Sequence, residues 1–231
     1  MTIPKIIHQI WLGDLPAPTT WMQTVKNHHP DYDYRLWTDD NLPTPLYNQT
    51  LFDQSEYYPE KADILRYELL FRYGGVYIDA DMICLQSIDG LLDQQTLCLA
   101  YEHESIRPGL ISNSFMAGPP DHLFFGSLVT QLQDIKGSVD EKNAWVRTGP
   151  NYVTLLIDLL TQQQKLNASE LQIYPSHHFF PLHCQEAAND HLLDAYIPAK
   201  DHYFFQVWGS EIGYGDEIIQ KFNRKFKLSD R

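Results

Sequence analysis

Ala62-Asp63-Ile64-Leu65-Arg66, followed by Gly74-Gly75-Val76-Tyr77-Ile78-Asp79-Ala80-Asp81, is the stretch on which the fold turns. Pro59, just upstream, suits the opening of a helix, because the N–H it lacks would be unsatisfied there anyway. Glu60 then falls in the first turn, where a negative charge meets the positive end of the helix dipole. Ile64, Leu65, Leu69 and Phe71 supply apolar surface. Gly74-Gly75 ends the helix by permitting left-handed backbone and close approach. Val76-Tyr77-Ile78 reads as a short apolar strand. Asp79 and Asp81 follow it one residue apart, and side-chain direction in extended chain repeats every two residues, so both carboxylates share a face. Two such carboxylates at a strand end can hold a hard divalent cation whose shell substrate phosphates complete. A bare Asp-X-Asp is more often a solvated turn, so its neighbours decide. Asp63 and Arg66 are spaced i, i+3 and share a helix face. They form either a surface ion pair or a pair aimed into a site at the end of the helix.

Working outward, strand and helix signals alternate. Lys5 to Leu12 reads as a mostly buried strand, and Thr19 or Thr20 caps a helix running to about His28. Tyr32 to Trp37 is a second strand, and Pro45 to Phe52 a short helix. Leu97 to Tyr101, Asn113 to Ala117 and Leu171 to Tyr174 are further strands. Leu123 to Ile135 and Asn151 to Gln164 are amphipathic helices. This alternation indicates an α/β sheet with parallel portions. The 231 residues carry 43% apolar and 13% aromatic side chains, enough for one substantial core, and no linker divides it.

The formal net charge of −13 disfavours nucleic acid as a partner, since that needs a basic face. It also makes binding of an anionic ligand depend on a metal and a few placed cations. Cys84, Cys98 and Cys184 are odd in number and form no Cys-X-X-Cys, which suggests small buried hydrophobes in a reducing compartment. The adjacent pairs His28-His29 and His177-His178 lack the spacing that places two ligands on one helix face, so surface or core roles are expected. No secretion leader or membrane-spanning window is read, which points to a cytoplasmic chain or a delivered effector with no transmembrane anchor. Lys221 to Leu228 sets Phe222 and Phe226 among basic residues. It docks on the core or makes a weak membrane-surface contact, and docking is favoured because the segment is short.

Ala-Asp-X-X-Arg with Gly-Gly-X-Tyr-X-Asp-X-Asp resembles the DXD-containing sugar-transferase family. That family includes capsular polysaccharide transferases, α-1,6-mannosyltransferases and α-1,4-galactosyltransferases, and is related to the catalytic domains of large clostridial glucosylating toxins. Ile3-Pro4-Lys5-Ile6-Ile7-His8-Gln9-Ile10-Trp11-Leu12-Gly13 is similar to the family's first strand, which ends in an aromatic lying against the donor base. Asn113-Ser114-Phe115-Met116-Ala117, Thr148-Gly149-Pro150 and Tyr174-Pro175-Ser176 extend the likeness. The resemblance implies one GT-A domain over residues 1–231, with a mixed, mostly parallel sheet flanked by helices. Residues 1–120 would bind nucleotide sugar and metal. Residues 121–231 would form the acceptor side and a C-terminal lid.

The implied activity is metal-dependent, retaining transfer of a hexose or N-acetylhexosamine from a nucleotide diphosphate sugar. A UDP-sugar is favoured over GDP-mannose, and the acceptor is a glycan, a lipid-linked sugar or a protein. By the same resemblance, Asp81 and Asp79 hold Mn²⁺ or Mg²⁺, Arg66 meets phosphate or sugar, and Asp63 accepts from donor-sugar hydroxyls. Ile10, Trp11, Tyr77 and Asn113 line the donor pocket. Gln206-Val207-Trp208-Gly209-Ser210 stands where the family commonly has His-X-Trp. Gln206 is thus a candidate metal ligand, and Trp208 and Ser210 are candidate donor contacts on a lid hinged at Gly209, Gly213 and Gly215. His202 is a second candidate for the missing His. The departure at Gln206 keeps a catalytically impaired nucleotide-sugar binding module as the alternative. A metal-dependent phosphohydrolase fits less well, because its Asp-X-Asp follows an N-terminal strand.

Overall fold

A computed structural model of the chain describes residues 2–93, 96–135, 144–167 and 169–228. The elements run β1 (Ile6–Ile10), α1 (Thr19–His28), β2 (Asp33–Trp37), α2 (Gln49–Gln54), α3 (Tyr58–Tyr73), β3 (Gly75–Ile78), β4 (Met82–Cys84), α4 (Asp89–Leu92), β5 (Leu97–His103) and β6 (Arg107–Gly118). There follow α5 (Leu123–Gln131), α6 (Ala144–Arg147), α7 (Pro150–Gln162), β7 (Leu171–Tyr174), α8 (Cys184–Ala187), α9 (Asp190–Ala195), β8 (Phe204–Gln206), α10 (Gly209–Ile212) and α11 (Asp216–Phe226).

Six strands form one sheet in the order β2-β1-β3-β6-β5-β7. The pairs β1–β2, β1–β3 and β5–β7 are parallel, and β3–β6 and β5–β6 antiparallel, so the sheet is mixed and mostly parallel. Alternation along the strands splits the core in two. Val76, Ile78, Cys98 and Ala100 pack on one face with Trp21 and Val25 of α1 and Phe222 of α11. Tyr77, Leu97 and Leu99 pack on the other, against α3, α5 and α7. The second face makes α3 a buried helix: Asp63 and every residue from Ile64 to Leu70 are shut away from water. Such a helix has little amphipathic pattern, and its polar residues must find partners inside the protein.

The end of α3 is fixed by contact. Gly75 has φ +94°, and a Cβ there would lie 2.5 Å from the carbonyl oxygen of Ile6 on β1. Helix α3 can therefore turn directly into β3 beside β1 only with glycine at this point.

Two short strands were not anticipated. β4, just after Asp81, pairs antiparallel with β8, with Met82 opposite Gln206. Three-residue strands give too short a period to read. The expected helix over Pro45 to Phe52 begins instead at Gln49, and the one over Leu123 to Ile135 ends as α-helix at Gln131 and continues as a 3-10 turn. Helix α11 docks on the core. Phe222 is fully buried against Trp21 and Phe205, and Phe226 packs on Phe205 and Tyr196. Its apolar face is turned inward and not toward a membrane surface. Cys84 and Cys98 are buried free thiols, as expected.

Truncating Phe222 to Ala should cost about 3–5 kcal/mol, the usual range for a large aromatic in a packed site. For a chain of this size that lowers Tm by roughly 10 °C. A thermal melt checks it, and a shift under about 2 °C would mean that α11 is not anchored.

Candidate active site

The buried polar face of α3 and the end of β3 meet in one network. The Arg66 guanidinium lies 3.1 Å from Asp63 Oδ1 and 3.2 Å from Asp79 Oδ1. It donates to the Asn113 carbonyl at 2.7 Å and sits 4.4 Å above the Tyr77 ring. The Tyr77 hydroxyl donates to Asp79 Oδ1 at 2.7 Å. Asp63 accepts from Asn113 Nδ2 at 2.8 Å through Oδ1 and from Thr148 Oγ1 at 2.7 Å through Oδ2. Asp63, Arg66, Asp79, Tyr77 and Asn113 are thus brought together as expected. Asp63 is 5% exposed and occupied on both oxygens. That differs from the expected role as a free acceptor for sugar hydroxyls: it holds Arg66, Asn113 and Thr148 in place. Burial pushes its pKa up to about 6, against the lowering effect of Arg66, Thr148 and Asn113.

Asp81 occupies an adjoining pocket built by the C-terminal segment. Its Oδ1 accepts from Gln206 Nε2 at 2.9 Å. Its Oδ2 accepts from the Gly209 backbone N–H at 2.7 Å and the Tyr214 hydroxyl at 3.3 Å. The β4–β8 pairing delivers Gln206. Gly209 is delivered by a turn at Trp208, whose φ of +63° is uncommon for so bulky a residue. The Tyr214 ring packs so closely on Gly209 that a Cβ there would lie 2.1 Å from it. The same ring meets the Trp11 indole edge-on, centroids 4.9 Å apart. Trp11 follows β1, beyond Ile10, is half-buried, and donates its indole N–H to the Leu15 carbonyl at 2.7 Å. Burial, and then the charge of Asp79, raise the Asp81 pKa to about 6.

Three expected members sit elsewhere. Trp208 is 9% exposed, donates its indole N–H to the Leu182 carbonyl and packs on Phe180 and His183. In this structure it is a core residue, not a cover over the diphosphate side. Ser210 lies exposed on α10. The His202 ring is stacked on Tyr196, with Nδ1 2.8 Å from the Tyr196 hydroxyl, so Gln206 and not His202 stands beside Asp81. Thr148, Gly209 and Tyr214 were missed as parts of the site. Thr148 had a signal in the quoted Thr-Gly-Pro, whereas Tyr214 had only its place in a glycine-rich segment.

The donor set fits a hard cation on one further observation. Gln206 Oε1 is buried without a hydrogen-bond partner among the described residues, on the amide that holds the Asp81 carboxylate. Asp79, Asp81 and the Gln206 oxygen are the residues that would hold such an ion.

The raised pKa of Asp81 has a definite sign. The unfolded chain gives up this proton near 3.8 and the folded chain near 6, so the contribution of Asp81 to stability is greatest below about pH 4 and is lost as pH rises through about 6. Asp63 adds the same sign over the same window. At pH 7 without metal, Asp81→Asn should therefore be stabilising by on the order of 1–2 kcal/mol, or roughly 2–6 °C in Tm. The new amide can present its oxygen to Gly209 N–H and its NH₂ to a rotated Gln206. Calorimetric melts of both proteins check this, and a lower Tm in the variant would contradict it.

Residues 18–98 match the family described as a glycosyltransferase sugar-binding region containing a DXD motif. Inositol phosphoceramide mannosyltransferase 3 of Schizosaccharomyces pombe is 35% identical over 56% of the chain and 37% of its own length. Inositol phosphoceramide mannosyltransferase 2 of the same yeast is 32% identical over 70% of the chain and 48% of its own length. The chain thus spans less than half the length of these relatives. In fold it is similar to the catalytic domain of alpha-toxin from Clostridium novyi, with a TM-score of 0.61 at 11% identity over 98% of the chain and 83% of that domain. The matched segment contains the whole of α3, β3 and Asp79-Ala80-Asp81, whereas Trp11, Asn113, Thr148, Gln206, Gly209 and Tyr214 lie outside it. Across residues 18–98 the chain thus carries the DXD-containing sugar-binding region of that glycosyltransferase family.

Proposed function

We propose that the protein is a metal-dependent, retaining glycosyltransferase that moves a hexose from a nucleotide diphosphate sugar to a glycan, lipid-linked or protein acceptor. The observation that carries this reading is the pair Asp79, joined through Arg66 to α3, and Asp81, held by a Gln206 amide whose own oxygen is buried without a partner among the described residues. A bound divalent cation, Mn²⁺ or Mg²⁺, supplies Lewis-acid stabilisation of the leaving diphosphate.

The chain's own residues do the rest. Arg66 is fixed by Asp63, Asp79 and the Asn113 carbonyl, so its charge needs no reorganisation when negative charge develops nearby. Tyr77 holds Asp79 in orientation. Trp11 offers the aromatic surface for the base, with Ile10 just before it. Asp63 is buried and held in place by Asn113, Thr148 and Arg66, a placement that suits positioning Arg66. Front-face attack, in which the leaving phosphate takes the acceptor proton, needs no carboxylate nucleophile and is favoured over a double displacement. Residues 121–231 would supply the acceptor side.

A uridine diphosphate sugar is the donor that the sequence resemblance favours. The names of the two yeast relatives favour mannose, carried on guanosine diphosphate, and a phosphorylinositol lipid acceptor. The second reading, an impaired nucleotide-sugar binding module, rests on Gln206 where the family commonly has His.

Metal-dependent hydrolysis of a panel of nucleotide sugars, without acceptor, separates these readings. One donor should be consumed, with release of its nucleoside diphosphate. Binding of a donor with no turnover in any metal would leave the module. Replacing Asp79 and Asp81 together by Asn should reduce turnover at least about a hundredfold. Undiminished activity in that variant, or in excess chelator, refutes the metal role. Trp11→Ala should raise the donor dissociation constant about tenfold, the scale of one aromatic contact, which titration calorimetry on the folded variant measures.

A further inference from the structure

A second cluster of ligand-type side chains lies away from the carboxylate pair. His177 and His178 sit in a 3-10 turn, Ser176–His178, directly after β7. Their rings are T-shaped, centroids 4.6 Å apart. Asp201, on the segment leading into β8, reaches back so that its Oδ2 lies 3.0 Å from His177 Nε2. One donor atom from each of His177, His178 and Asp201 lies within 4.8 Å of the other two. Nδ1 of His178 is shut off from solvent and has no hydrogen-bond partner among the described residues. A buried imidazole nitrogen left in this way is anomalous, since such groups are nearly always satisfied. It points to a missing ligand.

We infer that His177, His178 and Asp201 form a site for a borderline transition-metal cation of the Zn²⁺ class, separate from the hard-cation site at Asp79 and Asp81. Two imidazoles and one carboxylate are a nitrogen-rich set, which suits zinc and its neighbours over magnesium or manganese. Tetrahedral ligands at about 2.0–2.1 Å from an ion lie about 3.3 Å apart. The 3.0 Å between His177 Nε2 and Asp201 Oδ2 is already close to this, and small side-chain rotations bring in the third ligand. His202, beside Asp201, is not a fourth ligand. Its Nδ1 accepts from the Ala199 backbone N–H at 3.2 Å, which places the proton on Nε2. The fourth position belongs to solvent.

The placement gives such an ion a structural consequence. The His178 carbonyl accepts from the Tyr203 N–H, and the Tyr203 carbonyl accepts from the Leu85 N–H next to β4. An ion at this point ties the turn after β7 to the chain entering β8, three residues before Gln206 reaches Asp81.

Chelator-stripped full-length chain titrated with ZnCl₂ by calorimetry, and with CoCl₂ by absorbance, tests the site. One equivalent should bind, with the d–d bands of tetrahedral cobalt and a rise in Tm on adding zinc. His177→Gln and Asp201→Asn, both at half-exposed positions, should each weaken zinc binding at least about tenfold without loss of fold. The Asp79→Asn, Asp81→Asn double variant should keep it. No stoichiometric zinc binding by the wild-type chain, or binding unchanged in both single variants, overturns the site. So does binding lost only in the double variant, which would place the zinc at the carboxylate pair.

Discussion

Three carboxylates stand around one guanidinium: Asp63 and Asp79 pair with Arg66, and Asp81 lies in the adjoining pocket within reach of the Asp79 charge, and this unequal count governs the site. Asp63, Asp79 and Asp81 carry three negative charges when ionised, and Arg66 returns one. Burying unbalanced charge is costly unless it is paired and hydrogen-bonded. The protein answers with donors: Asn113 and Thr148 on Asp63, Tyr77 on Asp79, and Gln206, Gly209 and Tyr214 on Asp81. Donors spread the charge without cancelling it. Burial outweighs them, and Asp63 and Asp81 both stay near 6. The deficit left over is two charges, the amount one divalent cation brings.

Scaffold and site are linked through that balance. Helix α3 must be buried to hold Asp63 and Arg66 in a dry place, so its surroundings are apolar on both flanks of the polar pair. Burial strengthens every electrostatic contact in the network. The same burial makes each partner indispensable, because a buried Arg66 without its carboxylates would be an uncompensated charge. Gly75, pressed on the Ile6 carbonyl, fixes where Asp79 and Asp81 emerge relative to β1 and Trp11.

The local half of this arrangement was legible in the sequence. Asp63 and Arg66 are i, i+3 on a helix marked by Pro59 and the diglycine, and Asp79 and Asp81 follow the strand as read, though in a turn closed by the Met82 N–H on the Asp79 carbonyl and not in the extended alternation expected. Fold class followed from the order of the same signals. What could not be read was assembled over long separations. Gln206 reaches Asp81 across 125 residues through two three-residue strands, and Thr148 reaches Asp63 across 85. Such short strands show no period, and no local rule pairs Met82 with Gln206. Trp208 misled for a related reason. An aromatic beside glycines reads as a hinge with something to bury, but the left-handed turn at Trp208 aims the Gly209 N–H at Asp81 while sending the indole into the core.

Glutamine at position 206 has a physical logic in this setting. Asp81 presents lone pairs that are now taken by three donors, and a cation would compete for them. A histidine there could offer one nitrogen in one orientation. The Gln206 amide can rotate about its last bond and exchange Nε2 for Oε1 with no change in backbone position. In the metal-free arrangement it donates to Asp81 and leaves Oε1 unpartnered. Rotated, it would withdraw a donor from the carboxylate and offer an oxygen to the ion beside it. On the proposed metal role, the unsatisfied oxygen would be the cost of holding Asp81 before a cation binds, and the same side chain would serve both states. Gly209 and Tyr214 complete the argument. Neither needs to leave, because both donate to Oδ2 and the rotation of Gln206 would free Oδ1 for the ion. The pocket of Asp81 can then pass from hydrogen-bonded to metal-bound by the turn of one amide, with the β4–β8 ribbon unmoved.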